Sequence, residues 1–246
     1  MLDYSREAAA YDATRGGAPR ANAAAAAIQS LLPPGVLVDV AGGTGIVASA
    51  LAERGYAPIV LDRAPGMAVL AGSRLPGRVA VGDATALPFA DASVDAVTMI
   101  WLLHLLPRAV SAAAIGEAAR VLRPGGTLVT TVDKNDGQYR GEADIEEILW
   151  PHRVRLFHPN PDDRDRIAGL GASHGLRVTG AATFAGLGQA RSPKDFQKQL
   201  RDPSYGWVKR GGAELVAGLT ERVAALSDQD RPRGDPVYRL LAMTKD

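Results

Sequence analysis

Short apolar runs alternate with amphipathic stretches along the first half of the chain. Residues 36–40, 57–61, 78–82, 94–101 and 127–132 read as five strands, several of them apolar at consecutive positions. Unbroken apolar runs of this length mark strands covered on both faces. Between them, 46–54, 66–74 and 109–122 have helical patterns, bounded by Gly55, Pro76 and Pro124-Gly125-Gly126. An Ala-rich helix over 20–32 leads into the first strand and stops at Pro33-Pro34. Strand–helix–strand repetition at this spacing predicts a parallel sheet with helices on both faces.

The second half is less regular. Residues 134–163 mix charges with Trp150, His152, His158, Pro151, Pro159 and Pro161, and do not read as one long helix. A helix is expected from Asp162, a good N-cap, to Gly175. Residues 176–184 and 237–244 read as sixth and seventh strands. Helices are expected between them at 192–200 and 212–227, the first capped by Ser192-Pro193. There are no internal repeats. The pattern predicts one α/β domain over 1–246: a Rossmann-like, seven-stranded, mostly parallel sheet with helices on both faces. Residues 36–132 form its core, 1–32 an N-terminal lid and first helix, and 134–161 with 185–235 a small helical cap.

Composition narrows the partners. The 246 residues are 46% apolar with 27 glycines, enough to bury a sizeable core. The 28 basic and 27 acidic residues nearly cancel and are spread along the chain. No basic stripe addresses nucleic acid, and no polybasic helix addresses a membrane. The absence of cysteine removes disulfides, thiolate zinc sites and cysteine nucleophiles. His152 and His158 lack metal-ligand spacing, so no metal is expected. No Ser stands in a G-x-S-x-G elbow. The polar start at residues 1–6 does not resemble a signal peptide, and the longest apolar stretch, 97–106, is too short for a bilayer. The expectation is a soluble cytoplasmic protein of undetermined oligomeric state.

Val38-Asp39-Val40-Ala41-Gly42-Gly43-Thr44-Gly45 joins the first strand to its helix. Glycines here permit a tight turn and close approach of a ligand to the backbone. Seventeen residues beyond Gly45, Asp62 ends the second strand, where a carboxylate can accept both hydroxyls of a ribose. Gly43, Gly45 and Ala48 also satisfy the dinucleotide fingerprint, a weak match by itself. Asp39 separates the readings: an acid inside the first strand suits a ligand with an ammonium better than one with a pyrophosphate.

Four further blocks carry a resemblance. They are Ala64-Pro65-Gly66-Met67, then Gly82-Asp83-Ala84 with Leu87-Pro88-Phe89, then 91–97, and Arg120-Val121-Leu122-Arg123-Pro124-Gly125-Gly126. In this order over about 36–132, the chain resembles the class I S-adenosylmethionine-dependent methyltransferases of small molecules. The resemblance implies S-adenosylmethionine as cofactor. It implies that Asp39 and Ala41 face the ammonium, Gly43 and Gly45 shape the loop, and Asp62 and Arg63 stand at the ribose. Met67 and Ile100 would pack the adenine, with Asp83 and the Ala84 N–H reading its edge. Tyr11 and Arg15, in Tyr11-Asp12-Ala13-Thr14-Arg15, would reach the methionine end, Arg15 pairing with its carboxylate. The family usually has Gly where Ala41 stands, and Ala41 is expected to keep an ordinary φ. Asp202-Pro203-Ser204-Tyr205 resembles the signature of methyltransferases acting on nucleic-acid amino groups. That signature follows the fourth strand, where this chain has Trp101-Leu102-Leu103-His104.

His104 is the candidate general base, placed where an open α/β sheet presents its ligands. As an ordinary imidazole it would lose activity as pH drops through roughly 6.5; the plain alternative is a structural histidine in an apolar turn. Trp101, His104, Trp150, His152 and His158 are the candidate acceptor-contacting residues. Trp150, Trp207, Tyr139 and Tyr205 fall in the expected cap, where they either face a planar acceptor or form the cap's own core. The pattern resembles methyltransferases of actinobacterial specialised metabolism, which methylate N, O or C centres, indole carbons included. A nicotinamide-dependent oxidoreductase and a non-catalytic S-adenosylmethionine-binding module are the alternatives.

Overall fold

A computed structural model describes residues 11–137 and 143–246. Its strands are β1 (Val36–Val40), β2 (Ala57–Asp62), β3 (Val79–Val81), β4 (Val94–Met99), β5 (Leu122–Val132), β6 (Leu176–Ala185) and β7 (Val237–Lys245). They form one sheet in the order β3-β2-β1-β4-β5-β7-β6. The first five pair in parallel, and β7 runs antiparallel between β5 and β6. The chain reverses direction across the sheet between β1→β2→β3 on one side and β4→β5 on the other. That switch point puts the carboxyl ends of β1 and β4 side by side, where such sheets bind ligands.

Helices cover both faces. On one side lie α1 (Gly17–Gln29), α2 (Ile46–Ala52) and α3 (Pro65–Arg74). Ala24, Ala25 and Ile28 of α1 and Leu51 of α2 pack there against Leu37, Ala96 and Val129, while Ala71 and Leu75 of α3 meet Ala48 and Val60. On the other side α4 (Arg108–Val121) and α7 (Arg164–Ala172) bury Ala114, Ile115, Ala118 and Ile167 against Val38, Val40, Val97 and Met99. Alternate residues of β1 and β4 thus serve opposite cores, which explains their unbroken apolar character.

The remaining helices are α5 (Lys134–Gly137), α6 (Ala143–Phe157), α8 (Pro193–Leu200) and α9 (Gly206–Ala224). The last three bury Ile148, Leu149, Phe196, Leu200, Trp207, Leu219 and Val223 together, a small core separate from the two sheet faces.

Several boundaries differ from the sequence reading. The first helix spans Gly17–Gln29 rather than 20–32, and β4 stops at Met99 because Trp101 takes a left-handed φ of 57°. β5 begins at Leu122, running through the Gly125 turn (φ 77°) that was expected to precede it. Asp163, not Asp162, caps α7, accepting the Arg166 N–H at 2.9 Å. Pro151 lies inside α6, where no helix was expected. Both Pro151 and Glu147, whose carbonyl loses its donor, are exposed, so water can take the bond. Gly212, with φ 74° and ψ 167°, joins two helical pieces within α9, which begins six residues before the expected start. Among the described residues no helix is long and apolar enough to cross a membrane.

Candidate functional site

The turn after β1 is built from three left-handed residues: Ala41 (φ 57°), Gly43 (φ 58°) and Gly45 (φ 72°). The expectation of an ordinary φ at Ala41 is therefore corrected. A Cβ in that region costs roughly 1–2 kcal/mol, offset here by an N–H bond from Ala41 to the Leu61 carbonyl at 2.7 Å. Gly43 has open space where a side chain would stand, so its φ and ligand access call for glycine. Its N–H donates to Asp62 Oδ2 at 2.8 Å, and the Ala64 N–H donates to Asp62 Oδ1 at 2.8 Å. The carboxylate is 8% exposed and fixed in orientation before any ligand arrives. Each oxygen keeps a lone pair free for another donor.

Behind the loop, Asp39 is 1% exposed. Its Oδ1 accepts the Thr98 hydroxyl at 2.7 Å, across the β1–β4 register that pairs the two residues. Oδ2 has no hydrogen-bond partner. It lies against Gly42, where a Cβ would stand 2.6 Å from it. Burial pushes the Asp39 carboxyl up to about 6, the Asp62 charge adding to the rise and the Thr98 bond opposing it. A cation placed at the loop would satisfy this oxygen.

Along the neighbouring strand ends, Met67 and Ile100 are buried, Ala84 is half-buried, and Arg63 and Asp83 are exposed. The Thr85 N–H and hydroxyl both donate to Asp83 Oδ1 and hold its carboxyl below the usual range. Arg63 adds to that depression, so its charge faces Asp83. Three residues the sequence reading passed over tie the N-terminal segment to the loop. Asp12 accepts the Thr44 hydroxyl at 2.7 Å and pairs with Arg74 at 2.7 Å, while Arg74 also donates to the Thr44 carbonyl. This clamp sets Tyr11 and Arg15 beside the loop, the Arg15 guanidinium 5.6 Å from the Tyr11 ring centroid. The only hint in the sequence was the Tyr11-Asp12 pair ahead of Arg15.

Beyond β4, the Trp101 N–H donates to Thr131 Oγ1 at 2.8 Å, locking the reversed residue to β5. Its indole meets Phe184 and Tyr238 edge-on at 5.8 and 5.7 Å, with the Arg20 guanidinium 3.9 Å above its centroid. His104 sits in a single 3₁₀ turn (Leu103–Leu105), its Nδ1 enclosed and without a partner. Burial, then the charge of Lys134, hold its imidazole well below the ordinary value. That direction sets any titration of His104 below the pH of roughly 6.5 expected of an ordinary imidazole.

Trp150 and His158 meet edge-on at 5.9 Å, and His158 Nε2 lies 3.2 Å from Asp136 Oδ1, which Arg153 also approaches at 3.5 Å. Arg153 of α6 and His158 just after it thus meet α5 at Asp136. His152 is half-buried on α6 and makes no ring contact with either among the described residues. Trp207 and Tyr205 belong to the cap's own core, and Tyr139 lies outside the described residues.

Comparison with known proteins agrees with this geometry. Residues 38–130 match a methyltransferase domain family. An uncharacterised methyltransferase of Mycobacterium tuberculosis is 36% identical over 142 residues, 55% of this chain and 57% of that protein. A demethylmenaquinone methyltransferase of Beutenbergia cavernae is 44% identical over 94 residues, 38% of each chain. The matches thus span 57% and 38% of the length of these two curated relatives. An S-adenosylmethionine-dependent methyltransferase from Thermotoga maritima superposes with a TM-score of 0.59 at 19% identity, covering 99% of this chain and 98% of that one. Residues 38–130 thus carry a methyltransferase domain, and the seven-stranded fold around it is shared with S-adenosylmethionine-dependent methyltransferases of known structure.

Proposed function

We propose that this protein transfers a methyl group from S-adenosylmethionine to a small-molecule acceptor in the cytoplasm. One observation carries the reading: Asp39, buried behind the glycine loop with one carboxylate oxygen unpartnered. A pyrophosphate there would be repelled, whereas an ammonium or sulfonium supplies the missing charge. When bound, S-adenosylmethionine supplies an activated sulfonium methyl open to in-line displacement.

The chain's own groups then have these roles. Asp62, preset by the Gly43 and Ala64 N–H groups, accepts the ribose hydroxyls, with Arg63 beside it. Met67 and Ile100 pack the adenine, and Asp83 with the Ala84 N–H reads its edge. Tyr11 and Arg15 hold the methionine carboxylate, while Ala41, Gly43 and Gly45 shape the backbone against it. His104 is the candidate to take a proton from the acceptor, its unpartnered Nδ1 becoming a base once the turn around it opens to the acceptor. The segments 134–161 and 185–235 enclose the acceptor, with Trp101, Trp150, His152 and His158 as its contacts. The demethylmenaquinone methyltransferase relative supports an acceptor with a planar ring.

Asp62→Ala tests the cofactor half of this reading. Losing charge-assisted bonds of roughly 1.5–3 kcal/mol should weaken S-adenosylhomocysteine binding at least about tenfold by calorimetry. Because Asp62 also holds two backbone N–H groups, the melting temperature should fall as well. A folded variant binding with wild-type affinity would show that the ribose is held elsewhere.

A further inference from the structure

Thr98 stands between Val97 and Met99 on a central strand, and all three are fully buried. A valine would fill the same space without bringing a hydroxyl out of water, so the polar atom calls for a partner. That partner is Asp39, whose Oδ1 accepts the Thr98 hydroxyl at 2.7 Å. The β1–β4 register sets the two residues opposite each other, and paired positions on adjacent strands project to the same face. Two central strands thus hold both ends of the bond.

The bond also decides which oxygen is left over. With Oδ1 taken by Thr98, Oδ2 lies against Gly42 in the loop, where a Cβ would stand 2.6 Å away, and it has no partner. Glycine at position 42 leaves room for that oxygen beneath the loop backbone.

Few charges act on Asp39 from the elements around it. Leu37, two residues earlier on the same face of β1, packs against α1 and α2. α1 carries one charged residue, Arg20, whose guanidinium lies over Trp101, and α2 carries none. Arg15, ahead of α1, lies by the Tyr11 ring, and Arg74 of α3 is taken by Asp12. Asp62 at the end of β2 opposes ionisation of Asp39. Asp95 sits near the other end of β4, bonded to the Val36 N–H and Arg123. Among the described residues, Thr98 makes the one hydrogen bond to the Asp39 carboxyl, and a bond of this sense favours the ionised form.

We propose that Thr98 is a positioning residue for the cofactor, holding Asp39 with Oδ2 toward the glycine loop as the acceptor for the ammonium of S-adenosylmethionine. The proposal rests on the reading of Asp39 as the cation site and adds the group that keeps its carboxylate charged and aimed. Thr98 acts through Asp39 alone.

The test titrates the full protein with S-adenosylhomocysteine from about pH 5 to about pH 8, comparing wild type with Thr98→Val and Thr98→Ser. In wild type, affinity should fall below about pH 6, where the buried Asp39 carboxyl takes up its proton. Losing a hydrogen bond to the charged form moves that point up by about one pH unit. Thr98→Val should therefore bind within about threefold of wild type at pH 8 and about tenfold more weakly at pH 5. Thr98→Ser keeps the hydroxyl and should restore the wild-type profile. Should Thr98→Val not fold, Thr98→Cys places a weaker donor in similar space and should give a smaller shift in the same direction. An equal loss of affinity at every pH, an unmoved profile, or a Ser variant that behaves like Val overturns the proposal. A pH-independent affinity in wild type overturns both the proposal and the Asp39 reading beneath it. Absence of binding at any pH counts instead against S-adenosylmethionine as the cofactor, and removes the proposal with it.

Discussion

Asp39 shows how one residue can oppose the fold and favour its ligand. Its buried carboxyl has a pKa of about 6 against an ordinary value of 3.8, so the folded protein binds the proton more tightly than the unfolded chain. That contribution to stability is full below about pH 4 and is lost as pH rises through about 6. Ligand binding has the opposite sense, because the charged form is the one that faces the cation. S-adenosylhomocysteine affinity should therefore fall as pH drops below about 6, approaching tenfold per unit. Asp39→Asn should flatten this dependence, bind weakly at pH 8, and melt no lower than wild type at that pH. Calorimetry across pH with paired melting curves checks both halves; a pH-independent affinity in wild type would remove Asp39 from the cation site. At this scale the sequence was a good guide to chemistry and a poor one to environment. An acid at position 39 and another at 62 stood out by type and spacing. The left-handed φ of Ala41 and the depressed imidazole of His104 arise from neighbours distant in the chain, which spacing does not reveal.

Among the elements, those with one dominant signal were legible. β1, β2 and β6 fall within a residue or so of their expected bounds, because apolar runs between glycine and proline admit few alternatives. α6 was not legible, since Pro151 and its charged neighbours obscure an apolar stripe that only the facing α8 and α9 complete. The Asp12–Thr44–Arg74 clamp was invisible for the same reason, its partners lying 32 and 62 residues away from Asp12. This clamp fastens the segment ahead of α1 to the glycine loop, and Arg15 is held mainly by Tyr11. The proposed pairing of Arg15 with the cofactor carboxylate would give the segment a second anchor. Limited trypsin digestion should cut after Arg15 or Arg20 more slowly when S-adenosylhomocysteine is present. Equal rates in both states would mean that this segment does not close over the cofactor.

For the molecule as a whole, a formal net charge of +1 conceals a strongly uneven distribution. Two acids, Asp39 and Asp62, are buried at the glycine loop. The overall architecture was legible because sheet order follows from strand–helix alternation, while the cap and the pocket beneath it depend on contacts between irregular segments. The same fold and loop would also carry a dinucleotide, and the choice between the two rests on charge at the loop. Calorimetric titration with S-adenosylhomocysteine and, separately, with NAD tests that choice most directly. S-adenosylhomocysteine should bind in the micromolar range, about −8 kcal/mol, with no detectable heat from NAD; saturable NAD binding without S-adenosylhomocysteine binding would contradict the account.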